Sequence, residues 1–223
     1  MQYGGKPLSS SASRASKEKD ALFPIFLKLA ARRCLVVGAG KTAEEKIPTL
    51  LACSSTVVVV APAATPKIQS WAREEKLFWS QKRFESADLD GMFLAVVATS
   101  SKAVNRAIFQ EAQQRGILCN VVRDRAYCDF YYPAVVRRGP LQIAISTAGH
   151  SGALAQRLRE ELEYQFGPEW EDLLRWLGEA RSSLYDDPLS PRQRRTLLHK
   201  LASRKTQEEM FRRWGLLPKG NKL

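Results

Sequence analysis

The feature that most constrains this chain is a short apolar run that ends in two glycines. Residues 34–37 are Cys, Leu, Val and Val, which is typical of a strand buried on both faces. Gly38 and Gly40 follow directly, and from Lys41 onward apolar residues recur at the spacing of one helix face. A buried strand, a glycine turn and a helix in this order predict the opening of a parallel α/β sheet.

The glycine turn has the spacing Gly-x-Gly-x-x-Ala. Gly38 allows a tight turn, Gly40 lets the backbone approach a pyrophosphate, and Ala43 is small enough for the helix to pack on the strand. The N–H groups at the start of the helix would then face the anion. Gly-Ala-Gly also occurs in ordinary turns, but between a strand and a helix it favours dinucleotide binding. The predicted cofactor loop consists of Gly38, Ala39, Gly40, Lys41, Thr42 and Ala43.

The acidic residue that commonly follows such a loop by about 20 positions is absent. The second apolar run ends in Val60, Ala61, Pro62 and Ala63, and no arginine stands there to receive a 2′-phosphate. This part of the sequence therefore leaves the choice between NAD and NADP open.

Strands and helices alternate up to residue 122 and then the rhythm changes. We expect strands at 56–61, 77–81, 92–98 and 117–122, with helices at 66–75 and 102–115, the latter ended by Gly116. Residues 134–146 read as a hairpin turning at Arg138, Gly139 and Pro140. Beyond residue 151 we expect helices at 153–165 and 168–183 and one or two short helices at 191–214. The predicted fold class is α/β: a Rossmann-type parallel sheet, a small β segment and a helical C-terminal domain.

The net charge of +12 is concentrated at the chain ends. Residues 192–223 alone hold ten Lys or Arg and two Asp or Glu. Such a field attracts nucleic acid, an anionic membrane or a polyanionic small molecule. The spacing of Leu197, Leu198, Leu201 and Phe211 is that of a packing face, so we expect only weak, non-specific nucleic-acid binding. No apolar run approaches the ~18 residues of a membrane span, and we expect no membrane partner.

Four scattered cysteines and a polar N-terminus bear on location. Cys34, Cys53, Cys119 and Cys128 show no two-residue spacing, so we expect reduced structural thiols and no Cys/His metal site. Residues 1–21 lack the apolar stretch of a secretory signal and read as a disordered basic tail. Together these features predict a cytoplasmic protein.

Several motifs extend the pattern beyond the glycine loop. They are Phe-Pro-Ile-Phe-Leu at 23–27, Cys-Asn-Val-Val at 119–122, Asp-Phe at 129–130, the run 132–151, and the helical run 154–163. In order and register they resemble precorrin-2 dehydrogenase, a family that includes the dehydrogenase–ferrochelatase module of siroheme synthase. The resemblance covers about residues 22 to 165, and the stretch from Arg138 to Gly149 is seldom seen elsewhere.

The resemblance implies NAD-dependent oxidation of precorrin-2 to sirohydrochlorin, with iron insertion in some members. It implies an intertwined homodimer with an NAD-binding Rossmann domain (22–122), a central dimerisation segment (123–150) and a helical C-terminal domain with a basic tail (151–223). The nucleotide contacts map to the glycine loop and to Pro62 and Ala63. Thr99, Ser100 and Ser101 are expected to border the nicotinamide side.

Because precorrin-2 is a polycarboxylate, its site calls for cationic side chains. The candidates are Arg123, Arg137, Arg138, Arg157 and Arg159, although each is equally explained as a solvated surface charge. His150 precedes a helix and is a further candidate, for iron or for a proton relay. A lone histidine at a helix start is more often a capping or surface residue.

The sequence departs from the family where its catalytic aspartate follows Asn-Val-Val. Arg123 occupies that position and Asp124 comes next. Three alternatives stay open: a re-registered loop brings Asp124 to the macrocycle, Arg123 binds a substrate carboxylate while water takes the proton, or the protein binds NAD or tetrapyrrole without turnover. Asp124 is equally explained as a turn residue. We favour the first alternative and predict Asp124 as the catalytic residue.

Overall fold

The computed structural model describes residues 21–216, which divide into two compact units between Tyr131 and Tyr132. The first unit contains a five-stranded parallel sheet with the strand order β3-β2-β1-β4-β5. Its strands are β1 (Arg33–Val37), β2 (Thr56–Val60), β3 (Phe78–Ser80), β4 (Leu94–Val97) and β5 (Leu118–Val121).

Helices connect these strands in the order that the sequence predicts: α1 (Lys41–Leu51), α2 (Pro66–Arg73) and α3 (Lys102–Gln114), with a 3-10 turn at Ser86–Leu89. Each helix buries its apolar face, for example Ile47 of α1 and Ile108 of α3. All four residues of the central strand β4 are buried, because helices cover both faces of a parallel sheet. The Rossmann-type unit is confirmed.

The second unit begins with an antiparallel hairpin of β6 (Ala134–Arg138) and β7 (Leu141–Ile145). Four helices follow: α4 (Gly152–Gln165), α5 (Glu169–Asp186), α6 (Pro191–Leu201) and α7 (Arg204–Arg213). Phe211 is buried and meets the ring of Trp170 edge-on at 6.1 Å. Of the leucines expected on the packing face, Leu198 and Leu201 are half-buried, whereas Leu197 is exposed.

The division between the units falls later in the chain than the domain boundary placed at 122/123 from the sequence. Residues 123–131 belong to the first unit, because the chain there folds back and bonds to β5. Cys128 forms an antiparallel bridge with Asn120, and the backbone N–H of Asp129 donates to the carbonyl of Cys119 at 2.8 Å. The N-terminal tail expected at 1–21 lies, except for residue 21, outside the described residues.

Candidate functional site

The carboxyl ends of four parallel strands lie level at one edge of the sheet. Val37 pairs with Val60 on one side and with Val97 on the other, and Val97 pairs with Val121. The residues that follow these strands therefore emerge side by side. The strand order reverses between β1 and β4, and ligands of open α/β sheets bind in the crevice at such a point.

Gly38 makes the turn out of β1. Its φ of +98° lies in a region that L side chains rarely adopt, and a Cβ there would stand 2.6 Å from the carbonyl oxygen of Ala98. The loop after β4 therefore packs directly against the backbone of Gly38. Glycine is required here by backbone conformation and by space, as the sequence predicts for a tight turn.

Gly40 precedes α1 and has open space where a side chain would be. A Cβ built on Gly40 meets nothing within 4 Å, and no side chain caps the helix. The N–H groups of the first turn consequently lack a side-chain acceptor at the positive end of the helix dipole. Lys41 is exposed, Thr42 is half-buried, and Ala43 is fully buried in the role predicted for it.

The loop after β2 is tied to the glycine loop. Thr65 donates its backbone N–H to the carbonyl of Ala39 at 3.0 Å, and its side chain caps α2 by accepting the N–H of Ile68. Pro62 and Ala63 lie between β2 and this contact and are both exposed. These two residues therefore border the glycine loop, beside the candidate cofactor crevice.

The loop after β4 is held by its own side chains. The hydroxyl of Thr99 lies 2.5 Å from Oδ1 of the buried Asn105, and the Asn105 amide donates back to the Thr99 carbonyl. Ser101 caps α3 by accepting the N–H of Val104. The side chains of Thr99 and Ser101 are thus occupied within the loop, whereas Ser100 is exposed.

The segment after β5, which we call the β5 loop (residues 122–128), carries Arg123 and Asp124, the two residues where the resemblance places the catalytic aspartate. Arg123 has a φ of +70°, a left-handed conformation that is uncommon outside glycine, and its side chain is exposed. Asp124 is half-buried, and its carboxylate caps no helix. Asp124 is extended, with a φ of −130°, so the two successive residues do not follow the simple alternation of an extended strand.

Cys128 and Asn120 close the β5 loop, a role that sequence analysis missed. The Cys128 thiol lies 3.2 Å from the carbonyl oxygen of Val121 and 3.1 Å from that of Asp124. The buried Asn120 amide donates to Cys128 Sγ and, at 2.7 Å, to the carbonyl of Phe130. The Cys-Asn-Val-Val motif was visible in the sequence, but nothing in it indicates these partners.

The Asp129 carboxylate fixes the return of the chain to β5. Its Oδ2 accepts the N–H of Cys119 at 2.9 Å and the side-chain amide of Gln113 at 2.6 Å. Tyr127 adds an edge-on ring contact with Phe109 of α3, with 5.4 Å between the ring centroids. The base of the β5 loop is therefore anchored to both β5 and α3.

Burial raises the pKa of two thiols at this end of the sheet. Desolvation, with a smaller contribution from the Asp129 carboxylate, raises the pKa of Cys119 to about 12. Burial likewise raises the pKa of Cys128, partly offset by the hydrogen bond to Val121. Both thiols remain protonated at neutral pH and do not act as nucleophiles there.

In the second unit, Arg138, one of the predicted substrate contacts, caps the end of a helix. Its guanidinium donates to the carbonyls of Phe166 at 2.7 Å and Glu163 at 3.1 Å, at the end of α4. Helix C-termini leave such carbonyls without partners and carry a partial negative charge, which a cation stabilises. Arg137, the neighbouring candidate, is exposed, and among the described residues its guanidinium forms no ion pair.

The arginines of α4 are paired within their own helix. Arg157 lies 2.9 Å from Glu161, and Arg159 pairs with Glu163. His150 is exposed and lies just before Ser151, which caps α4. Among the described residues, the predicted substrate candidates thus divide into two groups. Arg123, Arg137 and His150 are exposed and form no ion pair, whereas Arg138, Arg157 and Arg159 are already engaged.

Within residues 21–216, no group of three His, Cys, Asp or Glu side chains is placed to hold a metal ion. Over the same residues, none of the helices combines the length and the apolar character that a bilayer span requires.

Comparison with known proteins agrees with this architecture. Residues 25–134 match the family described as "Putative NAD(P)-binding", and residues 138–165 match "Sirohaem biosynthesis protein central". A solved structure described as "SirC, precorrin-2 dehydrogenase" aligns over 86% of this chain and 98% of its own, with a TM-score of 0.71 and 28% identity. The chain belongs to the precorrin-2 dehydrogenase family.

Curated members of this family are longer than the present chain. It is 36% identical over 173 residues to a siroheme synthase of Photorhabdus laumondii, covering 78% of this chain and 37% of that protein. It is 39% identical over 166 residues to a siroheme synthase of Neisseria meningitidis serogroup C, covering 73% and 35%. The chain therefore spans about a third of the length of these relatives.

Within the precorrin-2 dehydrogenase family, the two matched segments correspond to separate parts of this structure. The NAD(P)-binding match ends at Ala134 and so includes the sheet, the glycine loop and the β5 loop. The central match begins at Arg138 and ends at the last residue of α4. Arg138 and the helix end that it caps thus lie in the second segment.

Proposed function

We propose that this chain forms a homodimer that oxidises precorrin-2 to sirohydrochlorin with NAD as the hydride acceptor. The observation that carries the proposal is the glycine loop, with its open Gly40 position, at the point where the strand order reverses. The SirC structure, named a precorrin-2 dehydrogenase, supports the substrate.

The residues of the glycine loop fit a nicotinamide dinucleotide. The space beside Gly40 and the uncapped first turn of α1 suit a pyrophosphate, which would accept N–H groups there. Pro62 and Ala63 would border the adenosine side, and Ser100 would face the nicotinamide side. Residues 61–66 contain neither a cation to receive a 2′-phosphate nor a carboxylate to bind the ribose, so we propose NAD on the resemblance to the family. NAD supplies the hydride acceptor.

The proposed substrate contacts are exposed candidates that form no ion pair with any described residue. Precorrin-2 carries carboxylates around its whole edge, and charge-assisted hydrogen bonds to arginine hold carboxylates well. Arg123 and Arg137 are available for this, and His150 is a third candidate. Arg157 would have to leave Glu161 first, and Arg138 would have to leave the end of α4.

Oxidation also releases a proton, for which we propose Asp124 as the base. It lies at the carboxyl end of β5, its carboxylate accepts no hydrogen bond from the described residues, and its backbone carbonyl is held by Tyr127 and Cys128. This corresponds to a β5 loop whose register differs from that of the family. Iron insertion, which the resemblance implies for some members of the family, stays a separate expectation.

A second candidate function comes from Arg123 at the position of the family's aspartate. A protein with an arginine there binds NAD or tetrapyrrole without turnover if Asp124 does not reach the macrocycle. Both candidates share the cofactor loop and the fold, so only a measurement of turnover separates them.

The cofactor site is tested by calorimetric titration with NAD and NADP. Gly40→Asp places a carboxylate against the pyrophosphate, so we expect binding to disappear while the thermal unfolding temperature is retained. Gly152→Asp, at the exposed first residue of α4 where a Cβ also meets nothing within 4 Å, is the control for an added carboxylate. Unchanged NAD affinity in Gly40→Asp would exclude the glycine loop as the site.

The base is tested with Asp124→Asn and Asp124→Ala. Each variant removes the base but leaves NAD binding, so we expect kcat to fall at least ~100-fold with NAD affinity unchanged. Arg123→Gln removes a substrate contact and is expected to raise KM for precorrin-2 more than it lowers kcat. Turnover that survives in both Asp124 variants would assign the proton to water or to another group.

A further inference from the structure

Exposed apolar side chains are concentrated in one part of the described chain. Residues 22–27, which we call the N-terminal apolar segment, precede β1 and have no regular secondary structure. They supply five of the twelve large hydrophobic residues that are exposed, including Phe23 at 84%, Phe26 at 68% and Ile25 at 57%. Contiguous exposed apolar surface of this kind marks an interaction site.

The backbone of the N-terminal apolar segment also lacks partners. No backbone hydrogen bond joins it to any other described residue. An extended apolar stretch with free N–H and C=O groups adds readily as a strand to the edge of a sheet. Pro24 has no N–H to donate, which suits an outer strand that is bonded along one side only.

The hairpin of β6 and β7 has open edges to which such a strand can add. Its strands pair only with each other, and within residues 21–216 no third strand lies along either outer edge. A two-stranded sheet is marginally stable by itself, and open edges attract further strands. Val135 and Ala144 pair across the hairpin. Val135 is partly buried and Ala144 is exposed, so the hairpin also has accessible apolar surface.

We propose that the N-terminal apolar segment of one copy docks along an outer edge of the β6–β7 hairpin of a second copy. The described part of each copy has one such unpaired segment and one such open hairpin. A two-fold-symmetric pair therefore forms the same contact twice, and both segments and both hairpins take part. The inference rests on the proposed homodimer and names the elements that hold it together.

Analytical ultracentrifugation of the double variant Phe23→Ser/Phe26→Ser tests this docking. Both rings are exposed in the single chain, so the variant keeps its circular dichroism and thermal unfolding. We expect its dimer dissociation constant to rise at least ~10-fold, because two buried aromatic contacts are lost at each docking site. Phe78→Ser is the matched control: Phe78 is 67% exposed on the edge strand β3, and its loss is expected to leave the dimer unchanged.

Cross-linking identifies the surface on which the segment docks. A Phe23→Cys chain is mixed with an Arg137→Cys chain (β6) or an Ala144→Cys chain (β7) and treated with a short bis-maleimide. Because each new cysteine is on a different chain, a peptide pair joining residue 23 to 137 or 144 reports contact between copies. We expect one of the two pairs by mass spectrometry and neither with Phe78→Cys.

The outcomes separate this inference from the proposed function. A parent protein that is monomeric at micromolar concentration overturns both the homodimer and the docking. A dimeric parent whose association is unchanged in the double variant keeps the homodimer and overturns the docking, as does equal loss in Phe78→Ser. Loss of the dimer without either cross-link overturns the hairpin as the partner surface.

Discussion

At the scale of single residues, the two glycines of the cofactor loop are expected to have different roles: Gly38 in the stability of the fold and Gly40 in NAD binding. Gly38→Ala forces a φ of +98° on an alanine and places its Cβ against the Ala98 carbonyl, so we expect a loss of about 2 kcal/mol or more in the free energy of unfolding. Gly40→Ala meets no atom and is expected to change stability by less than ~0.5 kcal/mol while weakening NAD binding. Urea unfolding measures the stability of each variant, and calorimetry measures its NAD affinity. Equal destabilisation by both changes would contradict these separate roles.

The raised pKa of Cys119 makes a second prediction at this scale. The unfolded thiol ionises near its ordinary value of 9.0, but the buried one ionises only near 12. Between these values the unfolded state binds fewer protons, so stability falls as the pH rises, by up to about 1.4 kcal/mol per pH unit. Urea unfolding at pH 7 and pH 10 is expected to show a smaller decrease for Cys119→Ala than for the parent. Equal decreases would contradict it.

At the scale of elements, the β5 loop depends on a thiol that no pattern in the sequence identifies. Cys128→Ala removes the contacts to the carbonyls of Val121 and Asp124, whereas Cys128→Ser keeps a donor there. We expect faster amide hydrogen exchange over residues 122–127 and a lower kcat in the alanine variant, with NAD affinity retained. The serine variant is expected to stay close to the parent. Identical exchange in both variants would show that the thiol does not hold the loop.

The elements themselves were largely predictable, because local patterns determine them. Valine-rich strands, Pro66 at the start of a helix and the turn at Gly139 are signals contained within a few residues. Other contacts are not local in this way. Arg138 bonds the carbonyl of Phe166, far along the chain, and the Asp129 carboxylate accepts a backbone N–H of β5. Spacing along the chain shows no such contact, which is why the cap that Arg138 provides could not be predicted from the sequence.

At the scale of the whole molecule, the positive charge is distributed unevenly. The two arginines of α4 and Arg175 of α5 are paired with carboxylates of their own helices, as Arg175 is with Asp172. On α6, Arg192, Arg195 and Lys200 have no such partner, and the helix contains no acidic residue. A cationic surface of this kind speeds the approach of a polycarboxylate and loses its effect in salt.

The triple variant Arg192→Gln/Arg195→Gln/Lys200→Gln tests the contribution of α6. We expect slower association of precorrin-2 in stopped-flow measurements at low ionic strength and a weaker dependence of that rate on salt. Replacing Lys76, Arg175 and Arg204, which are paired with carboxylates, by glutamine removes the same net charge and is the control. Equal slowing in both triple variants would assign the effect to net charge alone.

The central claim is tested most directly by turnover. Purified protein is mixed with precorrin-2 and NAD under anaerobic conditions, and the absorbance of sirohydrochlorin and NADH is followed together. The account predicts that both products appear, in equal amounts, and that neither appears with Gly40→Asp. Binding of NAD and of the tetrapyrrole without either product would contradict it, and would mean that Arg123 marks a protein that has kept its ligands and lost the reaction.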